Sequence, residues 1–180
     1  MFIFSNEECV KYAARRNILS DSQRPIRCGK TINRLGGKIP QTSGGSLDCV
    51  RGIMSAVLIE SECLVWISDW NIFSSQEYTH IFYRFRQSYG VNAPVANFPG
   101  HLCLASERAE IICLVQLCIL NCWDVHVFPD LSYSALFFSH DQRFEIGLSE
   151  PELRDEEERR LKAVGLAVEK ITTVDLPRAP

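Results

Sequence analysis

The stretch from Gly100 to Glu145 does most to limit what this chain can fold into. It reads as strand, buried helix, strand and hairpin, in the segments HLCL, ASERAEIICLVQLCILNCW, DVHVF and SALFFS-HD-QRFEIGL. Ten of the twelve residues from Ile111 to Cys122 are apolar, broken only by Gln116 and Asn121. A helix that is apolar nearly all round is buried on most of its sides. This one is too short to span a bilayer, which takes about 20 apolar residues. Ser106 is placed to cap its N-terminus, with Glu107 and Glu110 in the first turn, where the helix dipole favours negative charge. Strands on either side of such a helix suit a right-handed crossover between parallel neighbours.

Strand and helix patterns alternate along the rest of the chain. The expected fold class is therefore α/β, with α+β as the variant. It is read as a single globular domain over residues 1–180, with a mixed sheet of about five strands and helices packed around it. Ser5 and Glu8 have capping-box spacing, with Phe4 and Cys9 at the staple positions, and open a short helix that runs to about Arg16. Residues 20–46 are loop-rich, although RPIRCGKTINRLGGKIP has room for a short strand or two. The Gly-Lys-Thr at 29–31 is not a phosphate loop, because the motif needs Gly at position 24 and the residue there is Arg24.

Ser46 is read as the cap of a helix from Leu47 to Ile59, with Leu47, Val50, Met54, Val57 and Leu58 inward. CLVWIS (63–68) reads as a buried strand. Ser74 and Glu77 form a second capping box for a helix over 75–89, with Tyr78, Phe82, Phe85 and Tyr89 inward, Arg84 and Arg86 outward, and Gly90 at its C-terminal stop. A third box, Ser149 with Glu152, opens a solvated helix with Leu153, Leu161 and Val164 inward, and Gly165 stops it. Periodicity leaves residues 166–176 open between strand and helix.

Apolar residues make up 46% of the chain and charged residues 23%, which suits a soluble globular protein. The start MFIFSNEEC has no basic leader, and no segment has the length of a membrane span, so a cytoplasmic location is expected. None of the eight cysteines forms a CxxC pair, and structural thiols are expected. Residues 1–40 carry eight Lys/Arg against three Asp/Glu, whereas residues 41–148 carry five against eleven. An acidic body argues against nucleic acid as a partner and suits a basic protein.

The chemistry-bearing residues are sparse. The four histidines, His80, His101, His126 and His140, make no zinc-like spacing with each other or with cysteine. A Cys103–His126–Asp124 nucleophilic set is conceivable, but Cys103 lies mid-strand with nothing nearby to activate it. Ser139-His140-Asp141 falls at the tip of a hairpin, where Asp is expected for local backbone reasons. There His140 is a turn residue, an interface contact or a base. The acids Asp69, Glu77, Asp124, Asp130, Asp141 and Glu145 are scattered, without the basic groove of a nuclease. Asp69-Trp70-Asn71 places a tryptophan in a polar link, as a core plug or as an interface anchor.

The segments WISDWNIFSSQEYTHIFYRFRQSYG, PGHLCL, NCWDVHVF and ALFFSHDQRFEI together resemble a group of small uncharacterised bacterial proteins of the toxin-immunity type. The likeness covers about residues 63–146. Asn121-Cys122 stands where that group has small residues before Trp123-Asp124. Gln142 replaces the acid after His140-Asp141. The resemblance implies an immunity protein and supplies no catalytic residue.

The reading that joins these strands is a protein that binds and neutralises a toxin by occluding its active site, with no catalysis, cofactor or metal. Its expected contact residues are Asp69, Trp70, Asn71, Glu77, Asp124, Asp130, His140 and Asp141, facing a basic partner. The alternatives are a hydrolase or nuclease using Asp124, His126, His140 and Asp141, and a non-catalytic homodimeric regulatory subunit.

Overall fold

A computed structural model describes residues 1–15, 33–57, 62–70, 78–129, 134–148 and 150–171. Among these residues, eight strands join in one sheet: β1 (Phe2–Phe4), β2 (Asn33–Lys38), β3 (Cys63–Asp69), β4 (Gly100–Cys103), β5 (Asp124–Pro129), β6 (Ser134–Ser139), β7 (Arg143–Leu148) and β8 (Glu169–Ile171). Their order is β1-β4-β3-β5-β6-β7-β2-β8. Five α-helices accompany them: α1 (Asn6–Arg15), α2 (Ser43–Ala56), α3 (Thr79–Ser88), α4 (Arg108–Leu120) and α5 (Pro151–Ala163).

Helices and sheet are both present, as the sequence indicates, but the sheet corrects the expectation of about five mixed strands. Its ladders are antiparallel throughout. The crossover unit β4–α4–β5 exists, yet its strands are not neighbours. β3 lies between them and pairs with both. In this split unit β4 and β5 each pair with antiparallel neighbours, without a parallel ladder. The sheet is wider than expected because β1 and β8, three residues each, are too short to register as periodic patterns, and β2, NRLGGK with two glycines, lies in the stretch read as loop-rich.

Alternation along the strands sorts side chains onto two faces. On one face, Val65, Val127, Leu136, Ile146 and Leu35 meet Ile111, Leu114, Val115 and Cys118 of α4 in the main core, which α2 extends with Val50, Ile53 and Met54. α4 lies across β3, β4, β5 and β6, α2 packs on α4 and α5, and α5 lies over β2 and β7. The all-apolar surface of α4 is thus used on most of its sides, as its composition requires. On the other face, Cys9, Tyr12 and Ala13 of α1 pack on Leu64, Trp66 and Phe128.

Local capping explains the helix limits. Ser5 and Glu8 make the expected box, with Ser5 N–H to Glu8 Oε2 at 2.7 Å. α2 starts at Ser43 rather than after Ser46, because Thr42, extended at φ −83°, takes the Gly45 N–H on its hydroxyl at 3.2 Å. Glycines 44 and 45 are therefore helical. α4 follows a 3-10 turn, Ala105–Glu107, and Ser106 is not its cap. Glu107 instead folds back to the Leu104 N–H at 2.8 Å. α5 begins at Pro151 with Glu150 in the cap position, and Ser149 lies outside the described residues, as does the Ser74–Glu77 box.

Three helices end in the same paired-bond motif. Gly90 follows α3 at φ +77° and Gly165 follows α5 at φ +83°, as their positions predict. Cys122 plays that part for α4 at φ +54°, with Trp123 N–H on Cys118 O at 2.9 Å and Cys122 N–H on Ile119 O at 3.0 Å.

The inner stripe of α3 needs correction. Tyr78 and Tyr89 are its end caps and are exposed. Its inward residues are Phe82, the partly buried Phe85 and, one turn after Phe82, Arg86, which is completely buried. Val164 likewise caps α5 and is exposed, leaving Leu161 buried and Leu153 partly so. Among the described residues, no helix is long and apolar enough to cross a membrane.

Candidate functional site at one end of the sheet

The end of β3, the start of β5 and the turn between β6 and β7 meet at one end of the sheet. Asp69 and Asp124 stand opposite each other across the β3–β5 ladder, just past an irregularity between Ile67 and Asp69. Opposed carboxylates repel in such a pair. Asp124 is the nearly buried member, and its Oδ1 takes both the backbone N–H of His140 and the His140 ring Nδ1, each at 2.7 Å.

The turn that carries His140 is a three-residue hairpin loop. Gln142 N–H bonds to Ser139 O at 3.0 Å, and Gln142 sits at φ +57° before the chain resumes pairing at Arg143. This is a type I turn closed by a left-handed residue, which fixes the register of the hairpin. Ser139 Oγ takes the Asp141 N–H at 3.1 Å. Asp141 points outward, 69% exposed, with Oδ1 3.4 Å from His140 Nε2. The imidazole therefore stands between two carboxylates. A protonated ring donates to both, whereas a neutral ring donates to only one.

The structure thus brings Asp69, Asp124, His140 and Asp141 together. Trp70 follows Asp69 and is partly buried against the main core. Asn71, Glu77 and Asp130 lie outside the described residues. His126 does not join the group. It is buried further along β5, stacked on Phe128 at 5.8 Å and tilted against Phe137 at 4.6 Å. Cys103 and His126 lie on opposite faces of the sheet, Cys103 in the main core with Val65 and Val127, so a Cys103–His126–Asp124 set cannot form. Burial also pushes the Cys103 thiol up to about 12, far from a reactive thiolate.

Two charged features escape a sequence reading. Arg34 of β2 and Glu145 of β7 are nearly buried on the sheet face that carries Trp66 and His126, with Arg34 Nη1 3.9 Å from Glu145 Oε2. Strand alternation could have placed them there, since Glu145 pairs across the ladder with Phe137, and Phe137 with His126. Arg86 is the other. Its spacing of four from Phe82 was the available signal.

Among the described residues, no three His, Cys, Asp or Glu side chains gather into a set that could hold a metal ion. No family model, curated protein or solved structure matches the chain.

Proposed function

We propose that this chain is a cytoplasmic binding protein of the immunity type, which neutralises a basic toxin by covering its active site with the acidic end of the sheet. The observation that carries this reading is the convergence of Asp69, Asp124 and Asp141 from two strands and a hairpin tip. Opposed Asp69 and Asp124 raise the local negative potential, and a cationic surface relieves their repulsion on docking. Asp141 is the exposed member and makes first contact. His140 is held between two carboxylates and presents a fixed edge rather than a mobile side chain. The sequence expectation that Asn71, Glu77 and Asp130 also contact the partner falls outside the described residues. Occlusion of this kind requires no cofactor.

A second reading, as a hydrolase or nuclease, draws on the 2.7 Å Asp124–His140 contact, since a carboxylate on Nδ1 is how a catalytic imidazole is oriented. It is weaker because His140 Nε2, which would take the proton, faces the Asp141 carboxylate at 3.4 Å.

The test is capture from cells of the native host, with wild type beside Asp141→Lys and Asp69→Lys. A basic protein held by wild type and released by either reversal supports docking at this end. The same partner held equally by all three rejects the surface. Turnover of an ester or nucleic acid that disappears in His140→Ala would favour the second reading.

A further inference from the structure

Away from the acidic end, α3 carries a polar group into the core without an acceptor. Arg86 has no exposure, and among the described residues its Nε, Nη1 and Nη2 have no hydrogen-bond partner. The guanidinium lies over the Phe82 ring, with Cζ 5.6 Å from the centroid. The same ring meets Trp123 edge-on at 4.9 Å and His101 edge-on at 6.0 Å. Trp123 is 1% exposed, and its indole N–H also lacks an acceptor among the described residues. His101 is fully buried. The carbonyls of Val65 and Pro99 lie near its ring, but neither ring nitrogen makes a hydrogen bond of ordinary geometry. Three unsatisfied polar groups therefore surround one phenyl ring.

A guanidinium does not shed its proton inside a protein. A cation–π contact returns less than the burial of an unpaired charge costs. Water can fill hydrogen-bonding positions but brings no counter-charge. The missing component is an anion with planar or tetrahedral oxygens, which the fork of an arginine binds in pairs.

We propose that Arg86, His101 and Trp123 form an internal site for a small oxyanion, a carboxylate or phosphate group. Arg86 supplies the charge and a two-pronged donor. The Trp123 indole adds a third donor. His101, kept neutral by burial and by Arg86, adds no competing positive charge. Phe82 forms the floor. The 91–99 segment lies beside this cluster, with the Val91 N–H on Arg86 O at 3.1 Å. That segment joins α3 to β4 and is held by the Val95 N–H on Tyr83 Oη at 3.3 Å. The site does not depend on toxin binding, because none of the acidic-end carboxylates takes part in it.

The experiment is thermal unfolding of the intact protein in sodium formate, in sodium phosphate and in sodium chloride at matched ionic strength. The expected result is a saturable rise of the midpoint with formate or phosphate and none with chloride. Arg86→Met should weaken the apparent affinity about tenfold or more, the scale of losing a charge-assisted hydrogen bond. Trp123→Phe should weaken it by roughly threefold to tenfold on the same scale. A wild type with no saturable response overturns the site. So does a response that Arg86→Met retains, because general salt stabilisation does not depend on one buried side chain. If Arg86→Met does not fold, the wild-type titration and Trp123→Phe decide the matter alone.

Discussion

Asp124 Oδ1 holds His140 twice, by the backbone N–H and by ring Nδ1, both at 2.7 Å. One carboxylate oxygen thus ties the start of β5 to the tip of the β6–β7 hairpin. Asp124→Ala should destabilise the fold by about 2 kcal/mol, because it leaves a backbone N–H and a ring without their acceptor. His140→Ala should cost about 1 kcal/mol, since it removes the ring contact alone. Urea unfolding of the two single variants and the double variant should give a coupling of at least about 0.5 kcal/mol. Strict additivity would mean that the contact holds nothing together.

Two left-handed positions are filled by residues with side chains that resist that conformation. Cys122 ends α4 at φ +54°, and Gln142 closes the hairpin at φ +57°. Cys122→Gly and Gln142→Gly should each stabilise the protein by about 1 kcal/mol, read as a higher unfolding midpoint. Gly165→Ala should lose a similar amount through backbone strain alone, because nothing lies within 4 Å of the added methyl. A Cys122→Gly variant that is less stable than wild type would show that the thiol packing outweighs the strain.

β4 passes under α1 at Gly100, where an added Cβ would stand 2.2 Å from Cys9 Sγ and 2.8 Å from Phe4 Cβ. Gly100→Ala should destabilise the protein by about 1–3 kcal/mol. Cys9→Ala removes the nearest atom, so the double variant should regain part of the loss. Chemical denaturation of the set measures this directly. A double variant no better than the sum of the singles would place the strain elsewhere.

His101 sets an acid limit on stability. Burial, then the Arg86 charge, lowers its pKa to about 3 from the usual value near 6.5. Below about pH 6.5 the unfolded chain takes up a proton that the folded chain refuses until about pH 3. The contribution is therefore complete above pH 6.5 and falls with acidification, by up to about 1.4 kcal/mol per pH unit. His101→Phe should flatten the slope of unfolding free energy against pH between 3 and 6.5 relative to wild type. Parallel slopes would mean that His101 is protonated in the folded protein.

What the sequence made legible is local chemistry. The apolar run of α4, the Ser5–Glu8 box, the glycines after α3 and α5 and the hairpin at His140 all follow from residue type at fixed spacing. Strand order does not follow, because the insertion of β3 between β4 and β5 depends on contacts distant in the chain. The burial of Arg86 runs against the usual preference of arginine for solvent, and only its position one turn from Phe82 hinted at it. At the acidic end, sequence named Asp69, Asp124, His140 and Asp141 separately. The bond that unites Asp124 and His140 needed the folded sheet.

The measurement closest to the central claim is the affinity of the captured basic partner for wild type and for Asp141→Lys across a series of salt concentrations. Asp141 is 69% exposed, so its reversal should leave folding unchanged. Affinity should fall as salt rises, and Asp141→Lys should bind at least about tenfold more weakly at low salt, with a flatter salt dependence. Equal affinities and equal salt slopes for the two proteins would contradict docking through the acidic end of the sheet.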